Sequence, residues 1–145
     1  MKPRTYLRIA SMLTLIHAVL HTIGGVFGKP RPGAAATAYA AMQSNHFLVM
    51  GLDRSYADFY TGLGLGITIA LTVDTVVFWQ LGSLMKTDGA RLRPIMATFL
   101  FEYVAIALNS SRFFFWAPVV FELIIAFCLG MAIVGAGKAQ QQSAA

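Results

Sequence analysis

The stretch FFFWAPVVFELIIAFCLGMAIVG, residues 113–135, decides the fold: 23 residues with one charge, Glu122. A helix needs about 20 apolar residues to cross a bilayer core, and a run of this length with a single carboxylate reads as a transmembrane helix. Working outward, residues 94–110 predict a second such helix, shorter and carrying Glu102. Residues 59–81 predict another, and residues 6–27 predict a first span near the N-terminus. The rest of the composition agrees. Hydrophobic residues make up 57% of the 145-residue chain and charged residues 12%, half of what a soluble domain needs to cover its surface. The fold class that follows is all-α, a four-transmembrane-helix bundle in one membrane domain over residues 1–145.

Segment 29–53 does not read as a span. Lys29-Pro30-Arg31-Pro32-Gly33 is a turn, because Pro30 and Pro32 block continuation of the first helix. Ala34 to Met50 predicts a short amphipathic helix between the first two spans, with Tyr39, Met42, His46 and Met50 at helical spacing, lying along the outer surface.

The charge of +5 would suit a nucleic-acid partner, but the basic residues cluster at the ends of apolar runs and no aromatic RNA motif accompanies them. Membrane topology accounts for them instead, and the expected partner is the lipid bilayer, with no nucleic acid. With the N-terminus inside, the cytoplasm receives Lys2, Arg4, Arg8, Lys86, Arg91, Arg93 and Lys138. The outside receives Lys29, Arg31, Arg54 and Arg112. The excess favours cytoplasmic N- and C-termini. Tyr6 and Trp79 fall at the inner interface, and Tyr56, Tyr60, Phe113 to Phe115 and Trp116 at the outer one. Met1-Lys2-Pro3-Arg4, an apolar run and Ala34-Ala35-Ala36 also have the outline of a cleavable signal peptide. That run carries His17 and His21 and is as long as a full span, so it is read as a retained helix. Cys128, the lone cysteine, lies inside an apolar run and reads as a small buried hydrophobe.

Ionisable residues at bilayer depth should face the bundle interior and find partners. His17, His21, Asp74, Glu102 and Glu122 are the candidates. Ala10, Thr14, His17, His21, Gly24 and Gly28 form one seam at alternating steps of four and three. Thr98, Glu102, Ala105 and Asn109 form a second, Tyr60, Gly64, Ile67, Leu71 and Asp74 a third, and Pro118, Glu122, Ala126 and Leu129 a fourth. Gly24-xxx-Gly28 and Gly62-xxx-Gly66 fit close helix approach. Glu122 lies near the midplane if its helix starts at Arg112, but about one turn below the outer surface if Pro118 opens it.

Several readings of this cluster stay open. The residues can hydrogen-bond helix to helix and do nothing more. They can line a small-ligand pocket open to the outside. His17-xxx-His21 puts two imidazoles one turn apart, a spacing that lets both bind one metal ion, although no Glu-x-x-His accompanies them. Haem between His21 and His46 is a remoter variant, without an attachment motif. As an acid–base enzyme on a lipid-soluble substrate, the chain would use His17 or His21 as base, Glu102 or Glu122 as acid, and Asn109 or Tyr60 as donor. Ser110-Ser111 reads as helix punctuation, not as a nucleophile. A transporter or proton relay would need a homo-oligomer, since four helices are few. No cofactor is assigned.

The run His17-xxx-His21-Thr22-x-Gly24-Gly25, then Gly51-xx-Arg54-xxx-Asp58-Phe59-Tyr60-x-Gly62-x-Gly64, then Arg112-Phe113-Phe114-Phe115-xx-Pro118 resembles a family of uncharacterised small bacterial four-helix integral membrane proteins. The resemblance covers nearly the whole chain. It implies a multi-pass protein of the bacterial inner membrane and supplies no catalytic residues. In size and helix count the chain is also similar to the DoxX-like group, an analogy at the level of fold.

Overall fold

Proline, serine and asparagine punctuate the chain where the helices begin and end. The computed structural model describes residues 1–144, with side chains for all of these except Lys86 and residues 138–144. Helix α1 (Pro3–Leu20) opens on Pro3, whose missing N–H costs nothing in a first turn. It runs directly into a π-helical segment (His21–Val26), in which Phe27 N–H reaches back five residues to the Thr22 carbonyl at 3.0 Å. After the Pro30–Gly33 turn come α2 (Ala34–Ser44), β1 (His46–Val49), β2 (Leu52–Ser55), α3 (Tyr56–Asp88), α4 (Arg93–Phe113) and α5 (Trp116–Ala144). The structure is therefore mainly helical, with one two-stranded antiparallel sheet.

Three of these helices are long and apolar enough to cross a membrane among the described residues: Pro3–Val26, Tyr56–Met85 and Trp116–Gly137. The third expected span, 94–110, is helical as α4 but is not among them. Glu102 at its centre, Arg93 and Arg112 at its ends, and Asn109-Ser110-Ser111 dilute its apolar run.

Segment 34–50 departs from its expected single helix. Asn45 ends α2 by donating both its backbone N–H (3.0 Å) and its side-chain amide (2.7 Å) to the Ala41 carbonyl. His46 and Met50 thus lie in a β-hairpin. Its turn is Met50-Gly51, both with positive φ (50° and 81°), the geometry that matches strand twist in a two-residue loop. The fourth span also starts later than residue 113. Phe114 is extended (φ −120°, ψ −150°), so Phe113 closes α4 and Trp116 opens α5. Glu122 is then six residues into its helix, about 9 Å along the axis.

By its contacts the chain divides into two compact units, residues 1–17 with 71–145, and residues 18–70. In the first, Leu7 and Ala10 of α1, Phe78 and Leu81 of α3, Met96 and Tyr103 of α4, and Ile125, Leu129 and Ala132 of α5 form the core. Phe78 meets Phe99 edge-on at 5.1 Å and Tyr103 at 5.7 Å. Arg8 ties α1 to α3, its guanidinium 3.3 Å over the Trp79 ring and donating to Ser83 Oγ at 2.8 Å.

In the second unit the π segment packs on α3 at Gly64, where an added Cβ would lie 2.9 Å from Val26 Cγ2. The expected close approach at Gly24, Gly62 and Gly66 is not where the backbones meet, since nothing lies within 4 Å of a Cβ built at those positions. The wider π turn carries the 4-3 seam out of phase beyond His21, and Gly24 and Gly28 are exposed.

Candidate functional site

The first unit holds the larger set of buried polar side chains, in two groups. In one, Asp74 of α3 (8% exposed) accepts a hydrogen bond from Tyr103 Oη of α4 at 3.0 Å, and Tyr103 is fully buried. Thr14 Oγ1 of α1, also fully buried, lies 3.4 Å from the same phenol oxygen and donates to the Ala10 carbonyl at 2.9 Å. Three helices thus converge on one phenol. Ser11, one residue round α1, donates to the Thr75 carbonyl at 2.7 Å and fixes α1 beside α3 at this level.

In the other group, Ser110 of α4 donates to Glu122 Oε1 of α5 at 2.8 Å, both residues being buried. The second carboxylate oxygen, Oε2, is buried and has no hydrogen-bond partner among the described residues. Buried carboxylates normally have both oxygens satisfied, so this half-bonded group calls for a physical reason. Beside it on α5, Phe121 stacks on the half-buried His17 ring, centroids 5.4 Å apart and 23° between planes.

Of the residues that would carry acid–base chemistry (His17, His21, Glu102, Asn109 and Glu122), Glu122 is buried within a hydrogen-bonded pair, and His17 packs against Phe121, the residue before it. Glu102 is half-buried on α4 and Asn109 is exposed, and neither side chain makes a hydrogen bond among the described residues. The buried residues of α4 are Met96, Tyr103, Ala107 and Ser110, so its inward seam is rotated one residue from the expected Thr98–Glu102–Ala105–Asn109 line. A step of one residue is about 100° on a helix. Ser110, taken from the sequence as punctuation, lies inside α4 and bonds Glu122.

His21 belongs to the second unit. Its Nε2 lies 3.1 Å from the Gly64 carbonyl, so Nε2 carries the proton and donates. That nitrogen is engaged, and a metal would have to bind at Nδ1. Thr22 donates to the Ala18 carbonyl at 2.7 Å and lies 3.0 Å from Thr68 Oγ1. His46, the remoter haem candidate, sits on the exposed hairpin and pairs with Asp53 at 3.2 Å. Among the described residues no group of three or more His, Cys, Asp or Glu side chains is placed to hold a metal ion.

Thr14 is on the α1 seam read from the sequence, with Ala10 and His17, but Tyr103 is not on any of the four. It carries only the spacing to Ala107 and Ser110, at i+4 and i+7. Comparison with family models, curated proteins and solved structures finds no match to this chain.

Proposed function

We propose that this chain is a four-span protein of the bacterial inner membrane, with both termini cytoplasmic, that holds a small hydrogen-bond-donating ligand at the Glu122 carboxylate. The observation that carries the reading is the second oxygen of Glu122, in a residue only 2% exposed, with no partner among the described residues. In an apolar interior an unsatisfied carboxylate oxygen costs about 1–3 kcal/mol or more. A structural clamp would satisfy both oxygens, so the free one is read as the place where an ammonium, hydroxyl or amide group of a ligand donates.

Two features support the fourth span. Helix α4 has 21 residues, about 31 Å at 1.5 Å per residue, enough for a bilayer core. It also packs along α5, with Tyr103 and Ser110 directed inward, which keeps those two hydroxyls off lipid. Cytoplasmic termini follow from the excess of basic residues on that side.

The test is native mass spectrometry of the protein released from its membrane in nanodiscs, compared with Glu122→Gln. Glutamine keeps an oxygen to accept from Ser110 and removes the acid. A small-molecule adduct on the wild type that is lost in the variant supports the reading. A bare wild type, with a Glu122→Gln protein at least as stable, would sink it and leave helix packing as the role of the pair.

The Thr14–Tyr103–Asp74 group favours a second reading, a proton relay. Tyr103 gives its one hydroxyl proton to Asp74, and Thr14 gives its own to Ala10, so no proton remains for the 3.4 Å contact between them. Asp74 can take up one more proton, with Asp74 then donating to Tyr103 and Tyr103 to Thr14 while Thr14 keeps Ala10, and gives that proton back when the hydroxyls return to their first order. Proton flux into proteoliposomes, followed with a trapped pH dye, should fall to background in Asp74→Asn. Unchanged flux in that variant discards the relay.

A further inference from the structure

The hairpin at residues 46–55 is two-faced, and on its apolar side Val49 and Leu52 are exposed. In the antiparallel register Phe47 pairs with Arg54 and Val49 with Leu52, placing these four side chains on one face. His46, Leu48, Asp53 and Ser55 share the other, where His46 Nδ1 and Asp53 Oδ2 lie 3.2 Å apart. The first face is apolar apart from Arg54, whose long stem can lie along apolar surface while its charge reaches a polar layer.

The hairpin is fixed to the end of a helix apolar and long enough to cross a membrane. Strand β2 ends at Ser55 and α3 begins at Tyr56, with no linker. Ser55 N–H and Oγ donate to Asp58 Oδ2 at 2.8 and 3.0 Å, and Asp58 N–H donates back to Ser55 Oγ at 3.1 Å, a reciprocal cap that fixes the joint. On the apolar face Phe47 packs against Tyr56 at 4.9 Å and Phe59 at 5.4 Å. Tyr56, Phe59 and Leu63 recur at steps of three and four and are all exposed. The apolar side of the hairpin therefore continues the exposed stripe at the start of α3.

The turn breaks a local rule in the same direction. Position 50 has φ +50°, where asparagine or glycine is usual and another residue costs about 1–2 kcal/mol. Met50 sits there 98% exposed and gains no packing from the protein.

The geometry points to the hairpin as an interfacial lipid anchor. Its Phe47–Val49–Leu52 face lies at the boundary between headgroups and acyl chains, Met50 enters with it, and Arg54 meets a lipid phosphate. The occupant is the bilayer itself, because the apolar face is joined without a break to the exposed side of a helix that crosses it. Anchoring would set the depth and tilt of α3.

The inference rests on α3 crossing the membrane, and the experiment reads that separately. Single-cysteine variants Leu52→Cys, Asp53→Cys and Ile69→Cys, in a Cys128→Ala background, are labelled with an environment-sensitive fluorophore. They are reconstituted in phosphatidylcholine/phosphatidylglycerol vesicles, with and without lipids spin-labelled high on the acyl chain. Positions 52 and 53 share a backbone depth and point to opposite faces. Quenching at 52 about twofold or more above that at 53, with 53 open to aqueous iodide, is the expected result for an amphipathic element lying in the interface. Equal quenching at 52 and 53, or both open to iodide, overturns the anchor. A probe at 69 open to iodide shows instead that α3 does not cross, and the anchor falls with it. Variants that do not elute as wild type are replaced by the same labels at Val49 and Leu48, which face each other's opposite sides in the same way.

Discussion

Replacing Tyr103 with phenylalanine removes one oxygen and keeps the ring, so it isolates the hydrogen bond on which three helices converge. The ring contact to Phe78, at 5.7 Å, survives. The 3.0 Å donor to Asp74 and the 3.4 Å contact with Thr14 are lost. Interhelical hydrogen bonds in membrane proteins average about 0.6 kcal/mol and reach about 1.7. The acceptor here is a carboxylate, buried and left without that donor, which places the expected cost near the upper end, about 1.5 kcal/mol. That is roughly a tenfold shift in the folding equilibrium. The assay is reversible unfolding in mixed micelles, run as a double-mutant cycle with Asp74→Ala. Residues in one hydrogen-bonded network couple by about 0.5 kcal/mol or more, whereas independent sites add to within about 0.3–0.5. We expect a coupling of about 1 kcal/mol. Additive effects, with each single variant costing its full amount independently, would refute the network.

Two further outcomes follow from contacts within each unit. Gly64→Ala forces Val26 to move, because the new methyl would sit 2.9 Å from Val26 Cγ2; overpacking of this kind costs about 1–3 kcal/mol, and Val26→Ala should recover most of it. A melting temperature unchanged by Gly64→Ala, or unrescued in the double variant, would show that the helices do not meet there. Trp79→Leu removes the surface under the Arg8 guanidinium while keeping apolar bulk, and should cost about 0.5–1 kcal/mol. In an Arg8→Met background the same change should cost nothing measurable, and an equal loss in both backgrounds would assign the effect to packing alone.

The long apolar helices were legible because a run such as 113–135 has so few readings in water. Their inward faces were less so. On α5 the line Glu122–Ala126–Leu129 is buried as its spacing suggests, since apolar and small residues alternate there without competition. On α4 the polar residues Glu102 and Asn109 drew the seam one residue away from Tyr103 and Ser110. An amphipathic tyrosine suits both core and interface, so its side is set by what its hydroxyl reaches. That partner, Asp74, comes from 29 residues earlier in the chain. The hairpin escaped notice because Met50-Gly51 is an uncommon turn pair and each strand has four residues. The π turn is written only in a weak way, in the adjacent Gly24-Gly25 that tolerates a wider backbone.

The two carboxylates can be judged against what helix packing alone requires. Asparagine or glutamine in their places would accept from Tyr103 or Ser110 and would also donate, at less desolvation cost than an acid. Each acid here has one hydroxyl donor: Asp74 has Tyr103, and Glu122 has Ser110. A clamp built for strength would surround each with more donors or use the amide. What the acid offers and the amide lacks is a proton that can come and go, or a charge that a ligand can meet. The two groups differ in how they use this. Asp74 is joined to a chain of hydroxyls that could be re-ordered by one proton, whereas Glu122 keeps one oxygen without a partner among the described residues, the arrangement of an acceptor waiting for a donor. The amide variants therefore separate architecture from activity, because they preserve the hydrogen-bond acceptors that hold the helices while removing the acid that packing does not need.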